Sequence, residues 1–109
     1  MDVFELADMQ QTRAAASKAY LEFVRESSMS VGLYEIPAGG LDGQQPHTED
    51  EVYYVISGRG RISVGGEDQP VAPGSTIFVA TGVPHTFHDI IEDLLLFVAF
   101  GPAEGSRGA

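Results

Sequence analysis

Cysteine is absent from the 109 residues. That excludes a disulfide scaffold, a thiolate metal site and a cysteine nucleophile together. Positive charge is scarce. Six Lys and Arg stand against sixteen Asp and Glu, a formal net charge of −10 with histidine neutral. Such a surface repels a phosphate backbone, so no nucleic-acid partner is expected. The closest basic pair, Arg59 and Arg61, alternates along one apparent strand and makes no patch. No apolar run approaches the ~20 residues of a membrane-spanning helix, so no membrane partner is expected. Met1-Asp2-Val3-Phe4-Glu5 is acidic and lacks the basic-then-apolar order of a secretory signal. The expected location is the cytoplasm.

What is present describes a globular chain. Hydrophobic residues make up 43% and charged ones 20%, near the soluble average. The length suits one domain able to bury its own core. Thirteen glycines and six prolines favour short strands and tight turns over a helix bundle.

Residues 1–28 read as an N-terminal arm packing on the main domain. Residues 13–19 have helical propensity, with Thr12 or Asp8 as cap, and predict a helical turn or a loop. Residues 20–25 are β-prone and predict a first strand. From residue 29 the apolar period is 2. Met29, Val31 and Leu33 alternate with Ser30, Gly32 and Tyr34 until Pro37. Strands are predicted at 51–57, at 60–64 after a break at Gly58, near 69–72, at 76–79, at 85–88 and at 94–100. Gly65-Gly66 is a hairpin signal. The run 94–100 is apolar on both faces and should lie inside or against a partner. Residues 29–101 thus form the domain, and 102–109, small and polar, predict a flexible tail. Turns every 8–12 residues mean a β-sandwich or a barrel.

The chain holds three histidines: His47, His85 and His88. On an extended chain Gln45, His47 and Glu51 share parity and point to one face. If a second segment brings His85 back to them, two imidazoles and a carboxylate converge, the ligand set of non-haem Fe(II) oxygenases. His88, three after His85, has opposite parity and should face away. Tyr53 shares parity with Glu51, and its hydroxyl is a candidate acid or hydrogen-bond donor.

The spacing carries more than the residues do singly. Gly39-x5-Gln45-x-His47-x3-Glu51-x6-Gly58 resembles the first signature of the cupin superfamily, G-x5-H-x-H-x3,4-E-x6-G. Gly74-x5-Ala80-x-Gly82-x2-His85-x3-Asp89 resembles the second, G-x5-P-x-G-x2-H-x3-N. The resemblance spans about half the chain. It implies an all-β fold, a single double-stranded β-helix (a cupin or jelly-roll barrel), with His47, Glu51 and His85 as metal ligands. Gln45 stands where the family has a first histidine. Its amide oxygen can coordinate, or it can hydrogen-bond a water on the metal. Losing one imidazole shifts preference towards Fe(II) or Mn, with Ni, Zn and Cu as alternatives. Ala80 and Asp89 depart from the pattern outside the ligand set.

The expected function is a metal-dependent enzyme of a small-molecule substrate, a dioxygenase before an isomerase or lyase. The alternative is a binding module without turnover. Tyr34, Ile36, Tyr53, Val55, Phe87 and Phe97 are expected to line the barrel. A homodimer is expected from the resemblance.

Overall fold

A computed structural model describes residues 1–43 and 47–106. Gln45 lies outside the described residues, and so do residues 107–109. One helix, α1 (Leu6–Ala15), precedes six strands: β1 (Tyr20–Arg25), β2 (Ser30–Ile36), β3 (Asp50–Val64), β4 (Glu67–Val71), β5 (Thr76–Val79) and β6 (His85–Gly101). The antiparallel order is β1-β2-β6-β3-β4, with β5 also on β3. The first half of β3 takes β5 on its free edge, from Glu51 opposite Val79 to Tyr54 opposite Thr76. Its second half takes β4, closed by the Gly65-Gly66 turn. The same two halves pair with β6 throughout.

β3 and β6 are therefore single long strands where the sequence pattern suggested two pairs of short ones. Register shifts between Val55 and Ser57, Ser57 and Arg59, and Arg59 and Arg61 bend the ladder without ending it. The bend folds the sheet onto itself. Tyr53 from one half meets Phe87 from the other edge to face, ring centroids 4.9 Å apart. Both belong to one buried cluster with Tyr34, Ile36, Val55, Ile62, Leu94, Leu96 and Val98.

The bend also reverses side-chain parity. In β3 the inward side chains are odd-numbered up to Val55, and Ile62 is even; in β6 Phe87 is inward, and so are Ile90, Leu94 and Leu96. Asp89, at φ 49°, sits between Phe87 and Ile90. Phe97 consequently does not line the barrel as expected. It is 38% exposed on the outer face and packs towards Phe23, ring centroids 6.4 Å apart. Val31 and Leu33 are buried but lie outside the core cluster, while Tyr34 and Ile36 of the same strand point into it.

The N-terminal helix is longer and earlier than its propensity suggested. Glu5 is the N-cap without a side-chain cap bond, and Thr12 donates to the Asp8 carbonyl within the helix. Tertiary anchoring, not capping, holds it. Arg13 is buried, 2.7 Å from Glu35 of β2, and donates to the Lys18 carbonyl at 2.8 Å. At the other end, residues 102–106 lie on the barrel. Ala103 is 2% exposed and the Glu104 N–H donates to Ser30 Oγ at 2.8 Å.

Gly32 permits one close contact. A Cβ there would lie 2.2 Å from the Tyr20 ring and hydroxyl. Tyr20 packs inward from β1 opposite Tyr34. Gly32→Ala is expected to lower stability by about 1–3 kcal/mol through overpacking. In a Tyr20→Ala background the same change should cost close to nothing. Urea denaturation of the four proteins measures the coupling, and additive losses would contradict it.

Candidate metal centre

His47 precedes β3, Glu51 is its second residue and His85 begins β6. Three contacts stitch the loop before β6 to the segment before β3. The Gly82 N–H donates to the His47 carbonyl at 2.8 Å, the Thr81 N–H donates to Asp50 Oδ1 at 2.9 Å, and the Thr81 hydroxyl donates to the Thr48 carbonyl. These bonds bring the second motif back to the first. One ligand atom each from His47, Glu51 and His85 then lies within 4.8 Å of the others. The imidazole centroids of His47 and His85 are 6.0 Å apart.

Each side chain is held from behind. The Nδ1–H of His85 donates to the Val83 carbonyl at 3.0 Å, which leaves Nε2 for the site. That nitrogen lies 3.1 Å from the Tyr53 hydroxyl and 3.1 Å from Glu51 Oε1. The His47 ring packs edge to face on Phe100 at 4.7 Å. Glu51 is 1% exposed, and neither of its carboxylate oxygens has a hydrogen-bond partner. A buried carboxylate in that condition is costly unless a cation joins it. The donor set therefore fits a divalent ion: two imidazoles, a carboxylate with free lone pairs, and a fixed tautomer on one ring.

Burial lowers the proton affinity of His85, but the facing Glu51 carboxylate, the Val83 carbonyl and the charge of Asp42 outweigh it. The net shift is upward from the ordinary histidine range.

Sequence reasoning missed two acidic residues. Asp42 accepts from the Tyr34 hydroxyl at 2.8 Å and from the Phe87 N–H at 2.9 Å, pinning the loop at 39–43, with its glycines Gly39, Gly40 and Gly43, to the core. Its place in that loop gave no signal. Glu104, in the segment read as a tail, brings Oε2 to 3.4 Å from His47 Nδ1. Tyr20 contributes a buried hydroxyl without a hydrogen-bond partner. Burial first, then the charges of Glu104, Glu22 and Glu51, raise its pKa, so it stays a proton donor. Glu49 is buried and accepts from the Gly105 N–H at 2.9 Å.

His88 faces away from the site, as its parity required. Its Nε2 is 2.5 Å from Asp68 Oδ2. Ser63, Arg61 and His88 together hold the exposed Asp68 carboxyl down to about 2. A depressed carboxyl pKa adds stability above the unfolded value, lost as pH falls towards the folded one. A carbon-detected NMR titration should give Asp68 a midpoint near 2. Ser63→Ala should raise it; an unmoved midpoint would contradict the assignment.

Among the described residues no helix is long and apolar enough to cross a membrane. A sequence-family profile described as a cupin domain matches residues 32–98. An uncharacterized protein of Streptomyces coelicolor is 52% identical over 104 residues, covering 95% of this chain and 99% of its own. A Thermus thermophilus protein of known structure superposes with TM-score 0.76 at 24% identity, over 94% of this chain and 99% of that one. An RmlC-like cupin from Shewanella frigidimarina gives TM-score 0.68 at 20% identity, over 77% and 75%. At these identities the two structures speak to the fold alone.

Proposed function

Because the chain belongs to the cupin domain family, and because its barrel buries a carboxylate against two imidazoles, we propose that it is a metal-dependent enzyme. Its substrate is a small oxygen-bearing molecule and its reaction is of the non-haem Fe(II) oxygenase type. One observation carries the reading: Glu51, 1% exposed, sets its carboxylate beside His47 and His85, with the His85 Nε2 3.1 Å from Oε1. Two His and one carboxylate are the ligand set of that enzyme class. An ion held there supplies Lewis acidity and, as iron, electron exchange with O2.

The chain's own side chains do the rest. His47, Glu51 and His85 hold the ion. The Val83 carbonyl keeps the His85 proton on Nδ1. Tyr53 is fully buried and holds a proton 3.1 Å from His85 Nε2, in reach of a substrate oxygen as acid or hydrogen-bond donor. Phe87 and Phe100 flank the polar groups and limit water, which strengthens each electrostatic contact. The same Tyr53 favours a second reading, lyase or isomerase chemistry, where proton transfer without O2 suffices.

Elemental analysis of purified protein, followed by oxygen-electrode assays on a panel of diketones, phenols and thiols, tests the proposal. Near-stoichiometric iron with substrate-dependent oxygen uptake supports it. Anaerobic turnover supports the second reading. A melting temperature unmoved by Fe, Mn, Ni or Zn overturns both and favours a binding module. The expected homodimer belongs to this proposal too. Val52, Tyr54 and Phe97 stay exposed on the outer face, and a sedimentation mass of one chain overturns it.

A further inference from the structure

We infer that Glu104 is a positioning residue for His47: its carboxylate holds the Nδ1 proton, so that Nε2 is presented to the ion. The inference rests on the metal reading above and extends it to a residue outside both sequence motifs. Its geometry starts from the backbone of the segment after β6. The Glu104 N–H donates to Ser30 Oγ at 2.8 Å, the Glu104 carbonyl accepts from Arg25 Nη2 at 3.0 Å, and the Gly105 N–H donates to the buried Glu49 Oε1 at 2.9 Å. Ala103 is buried beside them. The segment is therefore fixed without help from the Glu104 side chain. That side chain is left to one ion-pair contact among the described residues, Oε2 at 3.4 Å from His47 Nδ1.

Glu104 is not in the convergent trio. Only His47, Glu51 and His85 group within 4.8 Å among the described residues. Glu104 thus stands outside the trio, with its carboxylate against the Nδ1 of His47. A carboxylate on the far nitrogen of a ligating imidazole fixes the tautomer and ring orientation and raises the basicity of the other nitrogen. His85 is backed in the same way by the Val83 carbonyl. Each imidazole then has its Nδ1 facing an oxygen acceptor, one from the backbone and one from the end of the chain. The side chain of Glu104 is about a third exposed, at 31%, so its replacement leaves the core intact.

Two measurements on the full chain test this. In the metal-free protein, long-range proton–nitrogen NMR should show His47 as the Nδ1–H tautomer in wild type and as a tautomer mixture in Glu104→Ala. Calorimetry with Mn(II) and Zn(II) should show affinity falling by about 10–100-fold in Glu104→Ala and less in Glu104→Gln, whose amide oxygen still accepts. The melting temperature without metal should stay near wild type, which separates positioning from a structural role. A nitrogen pattern or an affinity unchanged in Glu104→Ala overturns the assignment while leaving the metal reading standing. A wild-type protein that binds neither ion overturns the metal reading, and the assignment with it.

Discussion

Glu51→Gln is expected to abolish divalent-ion binding and yet to raise the stability of the metal-free protein, by about 1–3 kcal/mol. Both effects come from one fact: the carboxylate is buried, with the His85 imidazole, 3.1 Å from Oε1, as its counter-group. Gln keeps the shape and removes the charge, so the desolvation penalty falls. The gain should depend on pH. His85 has a raised folded-state pKa, so its protonated form faces Glu51 and adds stability below the unfolded value near 6.5. That contribution is lost as pH rises through the raised value. Above it, a neutral His85 no longer offsets the carboxylate, and the advantage of Gln should be largest. Urea denaturation at about pH 6 and about pH 9, with and without Mn(II), measures both effects. Wild type at an ion concentration of about 100 times Kd should gain about 2.7 kcal/mol, and Glu51→Gln nothing. A variant less stable than wild type at the higher pH, or one still stabilised by the ion, would refute the account of the site.

The second large effect is expected at the bend. Gly58 has φ 94°, and a Cβ there would lie 2.1 Å from the Asp93 carbonyl oxygen on the facing strand. Gly58→Ala combines backbone strain of about 1–2 kcal/mol with a clash against an atom that a rotamer change cannot move. Overpacking of that kind adds about 1–3 kcal/mol. Gly74 is the control: its φ is 95°, but nothing lies within 4 Å of the added methyl. Gly74→Ala should therefore lose only the strain. Equal losses in the two variants, read from urea midpoints, would show that close approach of β3 and β6 does not set the bend.

Period and turns along the chain determined an all-β domain and left sandwich and barrel open; the barrel and the ligand trio His47, Glu51 and His85 came from the likeness of the two motifs to the cupin signatures. Alternation within each short run also placed His88 outside and Tyr53 inside. Alternation failed across the bulges. Phe87 and Phe97 share parity in the sequence, yet only Phe87 points inward, since the β3–β6 register shifts three times between Val55 and Arg61, across the stretch of β6 that separates the two rings. Local pattern carries no record of a bulge, which depends on what the partner strand needs. The ends of the chain were decided in the same way. Arg13 finds Glu35 across 22 residues, and Glu104 reaches His47 only because its backbone is bonded to Ser30, Arg25 and its neighbour's to Glu49. Those contacts join residues far apart in the chain, and folding alone brings them within bonding distance.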